Sequence, residues 1–458
     1  MYSMKERVFT LLGCVVLASA VGYGVVYHLS LTYGAALTVA VVTIGAFLRS
    51  DRVVGILGSS VIVMVVLLPI HLVPNLFRLA EMLVLVLVSA VILARRPLPR
   101  TVHMSMMGLV AGYFVVTFLS TRSMGITGAM YQFILHVIIG VTFLIVGLYS
   151  NPDERQQIVR VIIGLAVVES IYAAYEVLFT PAVLWASPVP ESFKWPSDRL
   201  GSEIIPGLLR AQGTFGHPLL MSMFLAVGLA LTARHHFNNP MHRYWITAVI
   251  LAGGFATGSR STIIIMIAVL FFAYGPRTLS WVRGLVLTGL TLGFALLFSF
   301  STSGVYQRFS ESDSVSHREG ALDAAERLLD QSFTRAMTGS GWYSREWLFD
   351  RNFLQLDGFL AIDNQFVSLI ATSGLIGLGI FVAIIIGSVW FAQPEYRPAV
   401  LSLFAMYFVF DVNEFPAPWA ILMLLIGLSC HRPEPEPEED DADDQVSAVY
   451  RQLAPERT

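Results

Sequence analysis

The sequence predicts an all-α polytopic membrane protein of about fourteen transmembrane helices, and three observations carry that reading. Of 458 residues, 55% are hydrophobic and only 13% charged, against roughly 25% charged in an ordinary soluble domain. The mean hydropathy is +0.68. The apolar residues form continuous blocks near the length of ~20 that a helix needs to cross a bilayer, not the alternating ten-residue strands of a membrane barrel. A soluble enzyme is thereby excluded.

Blocks bounded by Arg, Pro or polar clusters place crossings near 8–28, 31–48, 53–70, 76–94, 102–120, 130–149 and 157–179. Further crossings fall near 217–233, 244–257, 261–275, 284–301, 364–391, 398–413 and 417–430. The chain thus divides into N-terminal helices (1–179), a first outer connection (180–216) and central helices (217–301). A larger outer connection (302–363), C-terminal helices (364–430) and a tail (431–458) follow. With the N-terminus inside, alternate short connections carry Lys5 and Arg7, Arg49 and Arg52, Arg95, Arg96 and Arg100, Arg155 and Arg160, Arg234 and Arg243, Arg277 and Arg283, and Arg397. The opposite short connections and crossing ends carry only Arg78, Arg122 and Arg260. That asymmetry follows the positive-inside rule and puts both termini in the cytoplasm.

Met1–Ala20 has the outline of a secretory signal, but its apolar run continues to Tyr27, longer than a signal core needs. The tail PEPEPEEDDADD is too polar to order itself. The net charge of −3 sums this acidic tail and the basic loops, so it does not point to nucleic acid. Cys14 and Cys430 each lie in an apolar block and provide neither a disulfide framework nor a zinc site. No metal or cofactor is expected.

Three crossings begin on the outer side beside charged residues. The first reads Arg210-Ala-Gln-Gly-Thr-Phe-Gly-His-Pro218, with Pro218 suited to a first helical turn. The second is the polar break Thr257-Gly-Ser-Arg260-Ser-Thr262, where Ser259 or Ser261 can cap the following helix. The third opens at Ile362-Asp363-Asn364-Gln-Phe366. Helix N-termini present free N–H groups and the positive dipole end. Three of them converging with Arg210 and Arg260 would form an anion site fit for a pyrophosphate, which the planar guanidinium fork binds in bidentate fashion. The plainer readings stay open: either arginine as a loop or headgroup cation, Asp363 as an N-cap, and His217 as a cap or turn residue.

RAQGTFGHP, the TGSRS break, and GSGW followed by DNQFVSLIATSGLIGLG occur in that order. Together they resemble the bacterial O-antigen ligase and polysaccharide polymerase family, the Wzy/WaaL-like membrane glycosyltransferases. The motif-bearing match spans about Arg210 to Gly379. The resemblance implies a metal-independent enzyme, more like a polymerase than a ligase, in the bacterial plasma membrane with its site on the extracytoplasmic side. It implies an undecaprenyl-diphosphate-linked oligosaccharide as donor and acceptor, with chain-length regulator and flippase proteins as further partners. Arg210 and Arg260 stand where the family places its pyrophosphate-handling arginines. Many members have His where this chain has Asp363, so the base is open between Asp363 and His317, with Arg318 and the hydroxyls of Ser259 and Ser261 as further phosphate ligands.

In the larger outer connection, 319–330 reads as an amphipathic surface helix with Leu322, Ala325 and Leu329 on one face. Trp342, Tyr343 and Trp347 are candidates for stacking on sugar rings or anchoring at the interface, and Asn364 for binding glycan. Glu169 and Glu176 share one face of a crossing, where acids default to function and interhelical hydrogen bonding is the plain alternative. Asp411, Asn413 and Glu414 end another crossing, either as acceptor contacts or as a solvated connection. A lipid-linked oligosaccharide flippase is the rival of a different class.

Overall fold

Among the described residues, helices form where the apolar blocks predict them. The computed structural model describes residues 52–69, 75–97, 102–125, 128–179, 201–202, 204, 207–274, 320, 323–354, 362 and 364–430. Among these residues the regular structure is helical, with an isolated bridge between Gly201 and Leu209. The N-terminal helices are α1 (Val53–Leu67), α2 (Asn75–Arg95), α3 (Met104–Met124), α4 (Ala129–Tyr149) and α5 (Pro152–Phe179). After a 3-10 turn, Gly213–Phe215, come α6 (Pro218–Arg234), α7 (Pro240–Ala256) and α8 (Arg260–Tyr274). Short helices α9 (Phe333–Thr338) and α10 (Arg345–Asp350) precede α11 (Gln365–Phe391), α12 (Arg397–Met406) and α13 (Pro416–Ser429). The crossings expected near 8–28, 31–48 and 284–301 lie outside the described residues. So do most of the first outer connection, residues 302–319, 321–322 and 355–361 of the larger one, the tail, and Asp363, His317 and Arg318.

Four helices, α3, α4, α5 and α11, are long and apolar enough to cross a membrane, and α1, α6, α12 and α13 are shorter apolar helices. Both α6 and α13 are buried on every side, from Pro218 to Ala233 and from Pro416 to Ser429, as befits helices with no polar face. Around α6 stand α5, α7, α8 and α12, while α13 lies along α4 and α11 along α3. Gly147 of α4 meets Gly427 of α13, the close backbone approach that small residues permit between helices.

Two boundaries differ from expectation for local reasons. Helix α5 begins at Pro152, ahead of 157, because Asn151 and Glu154 form a reciprocal cap. The Glu154 N–H donates to Asn151 Oδ1 at 2.9 Å and the Asn151 N–H to Glu154 Oε2 at 2.9 Å, a capping-box arrangement. Glu154 also accepts from Val54 N and Gly55 N at the start of α1 and pairs with Arg96 at 3.4 Å. Helix α12 ends at Met406, short of 413, because 407–415 turns to hold the start of α11.

The contacts sort the helix ends into two groups. One gathers the start of α1, the end of α2 and the start of α5 around Glu154. There too His103, ahead of α3, stacks on Phe391 at 4.0 Å and donates from its N–H to the Cys430 carbonyl at 3.0 Å. The other group gathers the first, second and third motif-bearing helix starts.

Candidate functional site

Two buried carboxylates position the first motif. Glu176 Oε2 accepts from Gln212 N at 2.9 Å and Gly213 N at 2.8 Å, and Glu169 Oε2 accepts from Thr214 N at 3.1 Å. The Thr214 hydroxyl bonds Glu169 Oε1 and the Val66 carbonyl, each at 2.7 Å. The two acids of α5 therefore fasten the backbone of the Arg210–Pro218 segment, an outcome that the plain hydrogen-bonding reading came near without naming the loop. His217 is the N-cap of α6, its Nδ1 accepting from Leu219 N at 3.2 Å, with Pro218 in the first turn.

The second motif docks beside the first. The Ala211 N–H donates to the Ala256 carbonyl at 3.0 Å, and a Cβ built on Gly258 would lie 3.0 Å from Arg210 Cγ. Arg210 and Arg260 thus sit on touching segments, and Arg210 Nε donates to the Gly201 carbonyl at 2.9 Å. Beneath them Ser222 of α6 bonds Thr257 at 3.0 Å and Thr262 at 2.6 Å. Ser259 and Ser261 are buried on either side of Arg260, the first residue of α8.

The third motif joins through 407–415. The His217 ring stacks on Phe410 at 4.8 Å. The Gln365 N–H donates to the Tyr407 carbonyl at 2.9 Å, and Gln365 Oε1 accepts from Asn413 N at 2.7 Å. The cap of α11 is Asn364, whose Oδ1 accepts from Phe366 N at 2.9 Å and Val367 N at 3.2 Å. This corrects the N-cap reading of Asp363, which Asn364 displaces by one position, and it gives the Asn364 carbonyl oxygen a backbone role.

Asp411 and Asn413 are buried, which overturns the solvated-connection reading. Asp411 Oδ2 accepts from Ser368 Oγ at 2.6 Å and from Arg345 Nη2 at 3.2 Å, and Arg345 also pairs with Glu414. Burial raises the Asp411 carboxyl to about 6, against the opposing pull of Arg345 and the Ser368 hydrogen bond. Between pH 4 and 6 the folded protein therefore holds a proton that the unfolded chain has released, so this group's contribution falls as pH rises through that window. Arg345→Gln removes the cation that tolerates the ionised form. The expected loss is about 2 kcal/mol at pH 8 and less than half of that at pH 5, where protonated Asp411 needs no cation. Thermal melts of the purified variant at both pH values check this.

GSGW fills a break in α11. Gly374 adopts φ 65°, ψ −170° inside that helix, which releases the carbonyls of Ala371 and Thr372. They accept from Ser340 N at 2.7 Å and Gly341 N at 2.8 Å. On the other side Thr121 Oγ1 accepts from Trp342 N at 2.9 Å, and Ser120 Oγ donates to the Thr338 carbonyl. Trp342 is consequently buried, 4.1 Å from the His136 ring. It is not the exposed platform expected of it. Trp347 is covered by Arg335 and Arg351, at 4.7 and 4.5 Å from its ring, whereas Tyr343 is 52% exposed.

The amphipathic segment also departs from expectation. Residues 323–329 are helical, but Ala324 and Leu328 are the buried pair and Leu329 is exposed. They form a second small core with Leu348, Leu354, Ile362, Val367 and Ala371. Paired apolar residues at 324–325 and 328–329 allow either stripe, and the Arg327 bond to the Leu354 carbonyl at 2.8 Å selects this one.

Glu176→Ala leaves two buried N–H groups without their acceptor. The expected cost is about 2 kcal/mol, with Glu176→Gln, which keeps one acceptor oxygen, losing less than half as much. Melting temperatures of the two variants separate these outcomes.

The described chain is an all-helical protein with four helices fit to span a membrane, consistent with a membrane protein. No protein-family model matches the chain, and no match was found among curated proteins.

Proposed function

We propose that the chain is a glycosyltransferase of about fourteen crossings, both termini cytoplasmic, that polymerises undecaprenyl-diphosphate-linked oligosaccharide on the extracytoplasmic face of the bacterial plasma membrane. The observation that carries this reading is the gathering of the three motif-bearing helix starts at one end of the bundle, with Arg210 against the break that precedes Arg260. Helix N-termini and two guanidinium groups at one place suit a pyrophosphate.

In the proposed step an acceptor hydroxyl oxygen forms a bond to the anomeric carbon of the donor sugar. The bond from that carbon to the pyrophosphate oxygen breaks, its electron pair leaves with undecaprenyl diphosphate, and the hydroxyl proton passes to a base. Arg210 and Arg260 stabilise the charge that grows on the leaving group. Asp363 is proposed as the base, with His317 the alternative and Arg318 a further phosphate ligand. Direct displacement inverts the anomeric centre.

The test is turnover by purified protein in liposomes given an undecaprenyl-diphosphate-linked oligosaccharide, with products separated by size. The expected result is a ladder of multiples with release of undecaprenyl diphosphate. A single transfer to another lipid or protein acceptor would make the chain a ligase. Movement of unchanged substrate across the bilayer would make it a transporter and end the enzymatic reading.

A further inference from the structure

Helices α3 and α11, both fit to cross a membrane, are tied together at one end of the bundle. There His103, ahead of α3, stacks on Phe391, the last residue of α11, at 4.0 Å. From that tie α3 runs to Thr121 and α11 to its break at Gly374 over nearly the same length, ~25 Å of helix in each at ~1.5 Å per residue. This is close to the ~30 Å hydrocarbon core of a bilayer. At the far level the Trp342 N–H donates to Thr121 Oγ1 at 2.9 Å and Ser120 Oγ donates to the Thr338 carbonyl. Helix α9, which ends at Thr338, therefore sits at headgroup depth. The apolar side chains next along the two helices, Phe118, Leu119, Leu375 and Ile376, are exposed, as lipid-facing residues are.

Two arginines converge on one tryptophan beside that level. Arg335 of α9 lies 4.7 Å and Arg351, the C-cap of α10, 4.5 Å from the Trp347 ring. The ring attracts each cation but accepts none of the hydrogen bonds a guanidinium can donate. Among the described residues neither arginine has a carboxylate or carbonyl partner. Glu346 and Asp350 stand one position ahead of Trp347 and Arg351, so they share the adjacent face of α10 and pair with neither arginine. Phe333, the first residue of α9, is 79% exposed. An exposed ring two residues from an unpaired guanidinium suits the boundary between hydrocarbon and headgroups, where the ring enters the apolar side and the cation stays with the polar groups. Charge then selects the occupant: a phosphodiester oxygen pair matches the planar fork of arginine.

We propose that α9 and α10 dock on the bilayer surface, with Arg335 and Arg351 binding the phosphates of anionic phospholipids and Phe333 entering the acyl boundary. Trp347 holds the two guanidinium groups in position for this. The inference rests on α3 and α11 crossing a membrane and goes beyond the glycosyl-transfer reading, which it does not need. Its consequence is mechanical: α9 leads into the GSGW turn that fills the break in α11, so the headgroup contact fixes the height of this connection against the bundle.

The test is electron paramagnetic resonance on the full chain in lipid nanodiscs, with a nitroxide attached at Phe333→Cys in a background of Cys14→Ala and Cys430→Ala. In discs of phosphatidylcholine mixed with phosphatidylglycerol, the label is expected to be relaxed more by oxygen, which concentrates in the bilayer, than by a water-soluble nickel chelate. Arg335→Gln or Arg351→Gln should raise the phosphatidylglycerol fraction needed for half-maximal insertion about fivefold, and the two together should return the label to water. Lysine at both positions keeps the charge without the fork and should fall between. Arg160→Gln, which removes an exposed arginine near the start of α5 at the opposite end of the bundle, should change nothing. Melting curves identify any variant that fails to fold, and the comparison of lipid mixtures on the chain that keeps both arginines then decides. A label that stays in water in every mixture, equal insertion in pure phosphatidylcholine, or insertion that the arginine variants leave unchanged would overturn the proposal. So would release by inorganic phosphate, which would mark a site for a free anion. None of these readouts uses turnover, so failure of the transferase reading would leave the result standing.

Discussion

Arg260→Ala is expected to lower glycosyl transfer by about 10²- to 10³-fold, the scale on which a donor aimed at developing charge contributes. Arg260 is the first residue of α8 and follows a break whose hydroxyls are tied to Ser222. Alanine at that position favours the helix at least as well as arginine, and the hydroxyl bonds of the break do not use the arginine side chain, so the start of α8 is expected to persist in the variant. Arg260→Lys keeps one positive charge but loses the planar fork, and its turnover should fall between the two. Arg210→Ala should behave alike, because Arg210 lies against Gly258 on the touching segment. Initial rates with the lipid-linked substrate, alongside melting curves, measure both effects. Turnover within about twofold of wild type, less than ~0.5 kcal/mol of barrier, would remove that arginine from the mechanism and leave it a headgroup cation.

How much of this was legible in the sequence depended on the range of the interaction. Helices were legible because an apolar block near twenty residues long records its own span: α4 begins at Ala129 where 130 was expected and α11 at Gln365 where 364 was. Caps were legible where the pattern is local, as at Pro218. They were misassigned by one residue at Asp363 and Asn364, two adjacent side chains that both favour the N-cap position, because the choice between them depends on the loop's approach. Glu169 and Glu176 announced themselves as acids seven apart in an apolar helix, but their partners are backbone N–H groups more than thirty residues away, and a backbone donor leaves no mark on sequence. Arg345 escaped notice for a different reason, since its carboxylate partners lie more than sixty residues away. Its significance arises only when 407–415 folds back and brings Asp411 and Glu414 to it. Burial of Asp411 was equally hidden, since a polar triplet at the end of an apolar block reads as solvated until a second element covers it.

Gly374→Ala is expected to cost about 4 kcal/mol, the sum of two separate penalties. A backbone at φ 65°, ψ −170° lies in a region that side-chain-bearing residues enter at a cost of about 1–3 kcal/mol. A Cβ there would also collide with the Met337 carbonyl oxygen and lie 2.5 Å from Gly339 N, and crowding of a close-packed contact adds roughly 1–3 kcal/mol. These neighbours are backbone atoms of the end of α9 and of Gly339, so no flexible side chain can yield. The alternative for the variant is to straighten α11, which would draw the Ala371 and Thr372 carbonyls back into the helix and expel Ser340 N and Gly341 N. Either route loosens Trp342 from Thr121 and His136, and with it Tyr343 and Arg345, which follow in sequence. Two readouts should therefore move together: a lower melting temperature, and increased quenching of tryptophan fluorescence by a water-soluble quencher as Trp342 becomes exposed. Gly379→Ala, in the same helix where a Cβ meets open space, should move neither. Equal behaviour of the two variants would show that the break at Gly374 is not what holds the turn.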